Sequence, residues 1–485
     1  SAANFVQVDV ISSNTNNANR NITLTGPFTE NATVRFVTTA LGNNDLVNID
    51  NLAITYTTAP VVDYEATFTE DGADQSVASA PVIVENDRIV SARIVLTNAQ
   101  QGDSFVIPNN LPGNINSAVD TSVPGRITVT LTGNEPQIGF WQAAIQAIQF
   151  RNSSDNPSTV DRLIEVTVND GVFNSNTAKT TVNVVSVNDV PFAGNDSVIT
   201  NVQGSFTLPD WVLLQNDTDP DGILSITGVT ENQTDFGVQR TGASTTFTYT
   251  TQANRTATYT VSDGVASDTA SVNISYDAGT INGTNGANII VGDGTGSTIN
   301  AQGGNDVIFT GSGNDTVDAG TGNDIIVWNV GDGRDFVNGG TGNDTIIING
   351  DGTNEVFRVY SRAAALGAGI TGLNNATEIV ITRGGTTSAN IIAELDNIEE
   401  IIINTGPGND QVFALGNFNP TSLNFNTITI NGSEGNDTVD ISGLASAHRI
   451  LFRSAGGQDT ILGTLRAQDV VEIPEGTDPA SYSLT

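Results

Sequence analysis

Apolar and polar residues alternate with a period of two as far as residue 277. FVQVDVIS (5–12), NITLTG (21–26), TVRFVTTA (33–40) and NLAITYTT (51–58) set the rhythm. It continues in YEATFTEDG (64–72), RLIEVTVNDGVFNSNTAKTTVNV (162–184) and TATYTVSDGVASDTASVNI (256–274). Strict alternation over short runs predicts strands with one buried face. Helical spacing shows only in QIGFWQAAIQAIQF (137–150) and SRAAALG (361–367). From residue 301 the rhythm changes. Apolar triplets now recur every nine residues, divided by Gly, Asn and Asp. The pattern predicts an almost wholly β chain whose architecture changes near residue 278.

The nine-residue lines are AQGGNDVIF (301–309), TGSGNDTVD (310–318), AGTGNDIIV (319–327) and GGTGNDTII (339–347). Each divides into a tight turn and a short strand. Glycines such as Gly304, Gly313, Gly322 and Gly342 let the turn backbone reach positive φ and direct its carbonyls to one spot. The aspartates Asp306, Asp315, Asp324 and Asp344 add charge. Calcium takes six to eight oxygens from carboxylates and carbonyls, so the pattern suits that ion. Two lines make one full turn, which stacks Asp306 on Asp324. Trp328-Asn329 reads as a two-residue insertion that moves the next members to Asp344 and Asp335. Ile308, Val317, Ile326 and Ile346 are expected to point inward. Asn288 and Ser297 hold the Asp positions of two degenerate opening units. Three further units, with Asp410, Asp437 and Asp459, are expected to be isolated half-sites. These residues resemble the RTX family of secreted bacterial calcium-binding proteins, whose nonapeptides wind into a parallel β-roll.

The alternating segments resemble sandwich modules. Residues 1–60 look like the last strands of a jelly-roll or lectin-like sandwich. Residues 61–187 resemble a bacterial cadherin-like or Ig-like sandwich, and 188–277 a second one. Val168-Asn169-Asp170-Gly171 and Val261-Ser262-Asp263-Gly264 repeat across the two. Residues 278–350 read as the RTX β-roll and 351–485 as a solenoid continuation with sparse RTX units. The expected fold class is therefore all-β, tandem β-sandwiches followed by a parallel β-roll. In the second module Asp217, Asp219 and Asp221 alternate before Gly222 as in a calcium loop, without the distant Glu of an EF-hand. Similarity to cadherin-like modules implies calcium there, and at Asn188 and Asp189 between the modules. In the first module Glu85-Asn86-Asp87-Arg88 puts an arginine where an acid is expected, which argues against a metal.

Composition narrows the function. Asp and Glu number 53 against 17 Lys and Arg, giving a net charge of −36. Nucleic acid is excluded as a partner, because phosphate recognition needs cations. So acidic a chain compacts more readily with several bound calcium ions. With no cysteine, metal takes the stabilising part that disulfides hold in secreted proteins. No apolar run is long enough to span a membrane. The opening SAANFVQV lacks a signal-peptide pattern, so a processed or partial chain is expected, exported by a type I route. The single histidine, His448, has no G-x-S-x-G elbow to serve, and a non-enzyme is expected. The leading reading is a calcium-stabilised structural protein of the bacterial surface, an S-layer-like or filament subunit that self-assembles. Its partners would be copies of itself, other surface proteins or a surface glycan. The alternatives are the stalk of a secreted adhesin and the carrier portion of a secreted enzyme.

Overall fold

The computed structural model describes residues 64–84, 88–231, 233–424 and 428–474. The strands expected in 1–60, the stretch Glu85-Asn86-Asp87 and the solenoid beyond residue 474 lie outside the described residues. The chain divides into two compact units, 1–187 and 188–485.

In the first unit, period-two text becomes a sandwich. One sheet orders Tyr64–Thr69, Ala178–Val185, Arg162–Asn169, Ser91–Leu96, Ile127–Gly133 and Ile115–Asp120 side by side. The other holds Gln75–Ser76, Gln149–Asn152 and Asp103–Val106. Tyr64–Thr69 and Ala178–Val185 pair in parallel, while their neighbours are antiparallel. The helix-spaced segment forms the helix Ile138–Ala147. It seals the core with Trp141, which is fully buried and donates its indole N–H to the Glu135 carbonyl at 3.0 Å. The buried Arg162 meets the buried Asp103 at 2.7 Å, and neither charge is left unpaired.

The second unit joins a sandwich to a roll without a break. Strand Arg255–Ser262 buries every second residue, as its alternation predicts. The sheet order Ser225–Glu231, Arg255–Ser262, Ser267–Tyr276, Asp196–Thr200 then passes directly to Ile289–Val291, the first strand of one roll face. Val198, Ile199 and Thr200 pair in parallel with Ile289, Ile290 and Val291. Residue 277 is thus not a gap in the sheet, and Ile289, Val291 and Val307 share the sandwich core. Among the described residues twelve strands make up this continuous sheet, and ten make the opposing face.

Along the roll, Val307–Phe309 pairs with Ile325–Asn329, and that strand with Thr345–Asn349. The two extra residues Trp328 and Asn329 lengthen a three-residue strand to five, pairing with Ile348 and Asn349. Ile308, Val317, Ile326 and Ile346 all lie in one core that extends to Phe452. Residues 351–404 insert an antiparallel strand, Ile379–Arg383, between Val356–Ser361 and Ile391–Asp396. The short helix Arg362–Gly367, capped by Ser361, forms in the second helix-spaced segment.

Candidate calcium-binding edges of the roll

Each aspartate of the nonapeptides stands at the mouth of a strand, where the turn closes. Asp306 accepts the main-chain N–H of Asn288 at 2.7 Å. Asp324 accepts that of Asp306 at 2.8 Å, and Asp344 that of Asp324 at 2.9 Å. On the other edge Asp315 accepts the N–H of Ser297, and Asp335 that of Asp315 at 3.0 Å. The steps of eighteen and then twenty residues are those the insertion requires.

Asp410, Asp437 and Asp459 are not isolated. The Glu355 N–H donates to Asp410 at 2.7 Å, that of Asp410 to Asp437 at 2.9 Å, and that of Asp437 to Asp459 at 2.9 Å. The expectation of separate half-sites is corrected for a physical reason. The text between these units forms strands of the opposite face and excursions between them, so consecutive RTX turns still stack in parallel. Among the described residues Asp459 is the last of this set.

The glycines permit the stacking. Gly322 has φ +138°, and a Cβ there would lie 1.7 Å from the Gly304 carbonyl oxygen. At Gly342 (φ +144°) it would lie 1.6 Å from that of Gly322. Gly304 and Gly313 also have positive φ. Asparagine before each aspartate has its own task. Asn305 Oδ1 accepts the N–H of Asn323, and Asn323 Oδ1 that of Asn343, so the turn tips are also laddered.

One oxygen of each carboxylate is therefore spent on an N–H of the turn before it. The other, Oδ2 of Asp306, Asp315, Asp324, Asp335, Asp344, Asp410, Asp437 and Asp459, is buried without a hydrogen-bond partner. Eight orphaned anionic oxygens in stacked turns fit a bound cation, because a lone buried acceptor is costly. Among the described residues no three His, Cys, Asp or Glu side chains gather as a metal cluster. An ion at these edges would take one or two carboxylates and fill its shell with main-chain carbonyls and water, as the hard calcium ion does. Burial pushes the carboxyls up, Asp306 to about 7, Asp335 to about 8, and Asp315, Asp324, Asp344 and Asp437 to about 6. Asp410 is raised by burial too.

Sequence reading missed four acids. Glu399 accepts the Asp344 N–H at 2.8 Å and continues the first column. Glu355 heads the column of Asp410. Asp332 is buried, pushed up to about 6 by that burial, and faces Asp315 and Asp335 electrostatically. Asp293 adds its charge near Asp315. The signals were the degenerate units G-D-G-T-N-E (350–355) and V-G-D-G-R-D (330–335).

The loop of the second sandwich behaves differently. Asp217 accepts from Gly194 N–H at 2.6 Å and from the Tyr259 hydroxyl. Asp219 Oδ1 accepts from the N–H groups of Asp221 and Gly222, at 2.8 and 2.6 Å, while its Oδ2 is buried and unpartnered. Asp221 accepts the Asp189 N–H at 2.6 Å, and Asn188 donates to Asp263 at 2.7 Å. The structure does not bring the three aspartates to one point. Each is turned toward local donors.

The profile of the RTX calcium-binding nonapeptide repeat (4 copies) matches residues 293–326 and 329–347, and that of a bacterial Ig domain matches 188–275. No curated protein matches the chain. Among solved structures, an endo-fucoidan hydrolase of glycoside hydrolase family 107 is 17% identical with a TM-score of 0.15. That likeness covers 39% of this chain and spans only 27% of the hydrolase. Human mucin-like protocadherin EC1-2 is 12% identical over 44% of this chain and 95% of its own, with a TM-score of 0.21. Protocadherin gamma B2 domains 3–6 are 10% identical over 44% and 46%, with a TM-score of 0.22. The chain carries RTX calcium-binding repeats behind a bacterial Ig domain, and its described residues are nearly all β.

Proposed function

We propose that this is a non-catalytic, calcium-stabilised structural protein of the bacterial surface that assembles with copies of itself into an S-layer-like sheet or a filament. The observation that carries this reading is the stacked carboxylates with their eight orphaned oxygens, built onto an Ig sheet that runs into the roll without interruption. Such an element is stiff only when its charges are met, and extracellular calcium, at roughly millimolar levels, meets them. Metal affinity then becomes folding free energy, so the acidic, glycine-rich repeats stay open where calcium is scarce and close where it is plentiful.

The setting of the single histidine supports a structural role over a catalytic one. His448 is buried, with Nδ1 against the Ser446 hydroxyl and Nε2 against the Leu423 carbonyl, both at 3.0 Å. Burial holds its pKa below the ordinary value, as suits a packed imidazole. Among the described residues no helix is long and apolar enough to cross a membrane.

Electron microscopy of the purified chain with and without calcium tests the proposal. Ordered sheets or filaments that form only with calcium are expected. Folded monomers in calcium that never assemble would overturn self-assembly and favour an adhesin stalk or carrier segment.

A further inference from the structure

Not every strand-heading carboxylate of the roll is left with an orphaned oxygen. Asp469 stands directly before strand Val470–Glu472, as Asp306 stands before Val307–Phe309. Its Oδ1 accepts the N–H of Ile450, one turn back, at 3.0 Å. Asp324 accepts that of Asp306 in the same way. At Asp469, however, a guanidinium has entered. Arg466 donates from Nη2 to Oδ1 at 2.8 Å and from Nε to Oδ2 at 3.0 Å. Its Nη1 reaches the Ser446 carbonyl at 2.6 Å, and Nη2 the His448 carbonyl. A fixed cation thus gathers one turn's carboxylate and two main-chain carbonyls of the turn before. Those are the oxygens a calcium ion takes.

The other example lies where the inserted strand interrupts the opposite face. Glu355 stands before Val356–Ser361 and heads the column of Asp410, Asp437 and Asp459. No parallel RTX turn stacks on its far side, because the antiparallel strand Ile379–Arg383 lies there. From that strand Arg383 Nε donates to Glu355 Oε1 and Nη2 to Asp351 Oδ2, the latter at 2.9 Å. The Glu355 side chain is 1% exposed, so this charge too would be costly without a partner. The column's orphaned buried oxygens begin one member later, at Asp410.

We propose that Arg383 and Arg466 are built-in replacements for calcium, whose guanidinium groups hold two strand-heading carboxylates of the roll, Glu355 and Asp469, without metal. The inference rests on the reading of the eight aspartates as calcium ligands. It divides the solenoid into metal-dependent turns, 301–347 above all, and two metal-independent clamps. The Arg383 clamp fixes Val356–Ser361 to the inserted strand, and the Arg466 clamp fixes the last described turn, 446–472. Arginine suits the task because its planar fork carries a permanent charge and several directed donors. A turn closed by arginine is closed at any calcium level, so folding of the neighbouring turns can start from it as calcium arrives.

Hydrogen exchange on the full chain tests this, in excess chelator and in calcium at roughly millimolar level. In the wild type, chelation should lower protection of strands in 307–347 by roughly 100-fold, the effect of losing a ligand held at about 100 times its Kd. Protection of Ile450–Arg453 and Val356–Ser361 should change little. R466Q should lose the protection of 450–453 in chelator and regain it in calcium, because the oxygens Arg466 vacates then accept the ion. R383Q should behave likewise at 356–361, and provides the same reading if R466Q does not fold. Variants protected equally with and without calcium would overturn the replacement. So would variants unprotected in both, since the arginines would then be structural contacts that calcium cannot replace. Protection of 307–347 in the wild type that ignores chelator would instead overturn the calcium reading beneath it.

Discussion

Gly322 sits where a single methyl group decides whether two turns can stack. The space for its Cβ is already taken by the Gly304 carbonyl, and its φ is one that L side chains rarely adopt. G322A is therefore expected to destabilise the calcium-loaded roll by about 3 kcal/mol or more, from strain and overpacking together. Thermal unfolding in saturating calcium measures this. Asp324 and Asp459 offer a contrast of position within chemically identical groups. Asp324 is bonded to Asp306 behind and Asp344 ahead, while among the described residues Asp459 is bonded in its column only to Asp437. D324A should raise the calcium midpoint of folding by roughly tenfold more than D459A, about 1.4 kcal/mol. Equal midpoints for the two variants would contradict coupling along the column. At this scale the sequence was informative about aspartate and glycine, whose chemistry the repeat displays openly. It was silent about Glu399, because glutamate breaks the written motif while its longer side chain still reaches the Asp344 N–H of the neighbouring turn. At Asp217, Asp219 and Asp221, where alternate spacing suggested convergence, local N–H groups each hold one carboxylate oxygen, and Asp219 Oδ2 stays buried without a partner.

The columns are elements in their own right, and their proton chemistry follows from burial. Asp306 is pushed up to about 7, Asp335 to about 8 and Asp324 to about 6, from an ordinary 3.8. Without calcium, the folded roll therefore holds protons that the unfolded chain releases. Its stability is present below the ordinary carboxyl range and is lost as pH rises through about 6 to 8. In chelator, the melting temperature followed by circular dichroism should be higher near pH 5 than near pH 7.5, where about half or more of these groups ionise. In saturating calcium that trend should weaken or reverse, because protons then compete with the ion for the same oxygens. A calcium-free roll that grows more stable as pH rises would contradict the assignment. The register of these elements was legible as far as residue 347, since an eighteen-residue step with one two-residue insertion is visible by eye. Steps of 55, 27 and 22 residues hid the next column. Excursions of that length between stacked turns remove the periodicity while leaving the parallel pairing intact.

For the whole molecule, the sheet that crosses residue 277 makes the second sandwich a platform for the roll. Sequence placed a boundary there because the hydrophobic period changes, yet a change of period does not require a change of sheet. Asp196–Thr200 supplies the strand on which Ile289–Val291 is laid, and Ile289 and Val291 complete the sandwich core. A chain starting at residue 278 should fold only at higher calcium than one starting at 188, since uncovering two such side chains costs about 3 kcal/mol or more. Calcium titrations of the two by circular dichroism decide this, and identical midpoints would mean that the sandwich contributes nothing to the roll. The parallel pair in the first sandwich carries a different consequence, which concerns force. Tension on the chain enters that module at Tyr64 and leaves at Val185, at opposite ends of two strands held by six paired residues. Such a load shears all their hydrogen bonds together. In the roll the inter-strand bonds lie along the stacking direction, so the same pull peels turns away one after another. Under load the module of residues 64–187 acts as a fuse of high threshold, while the repeats act as a spring that calcium rewinds.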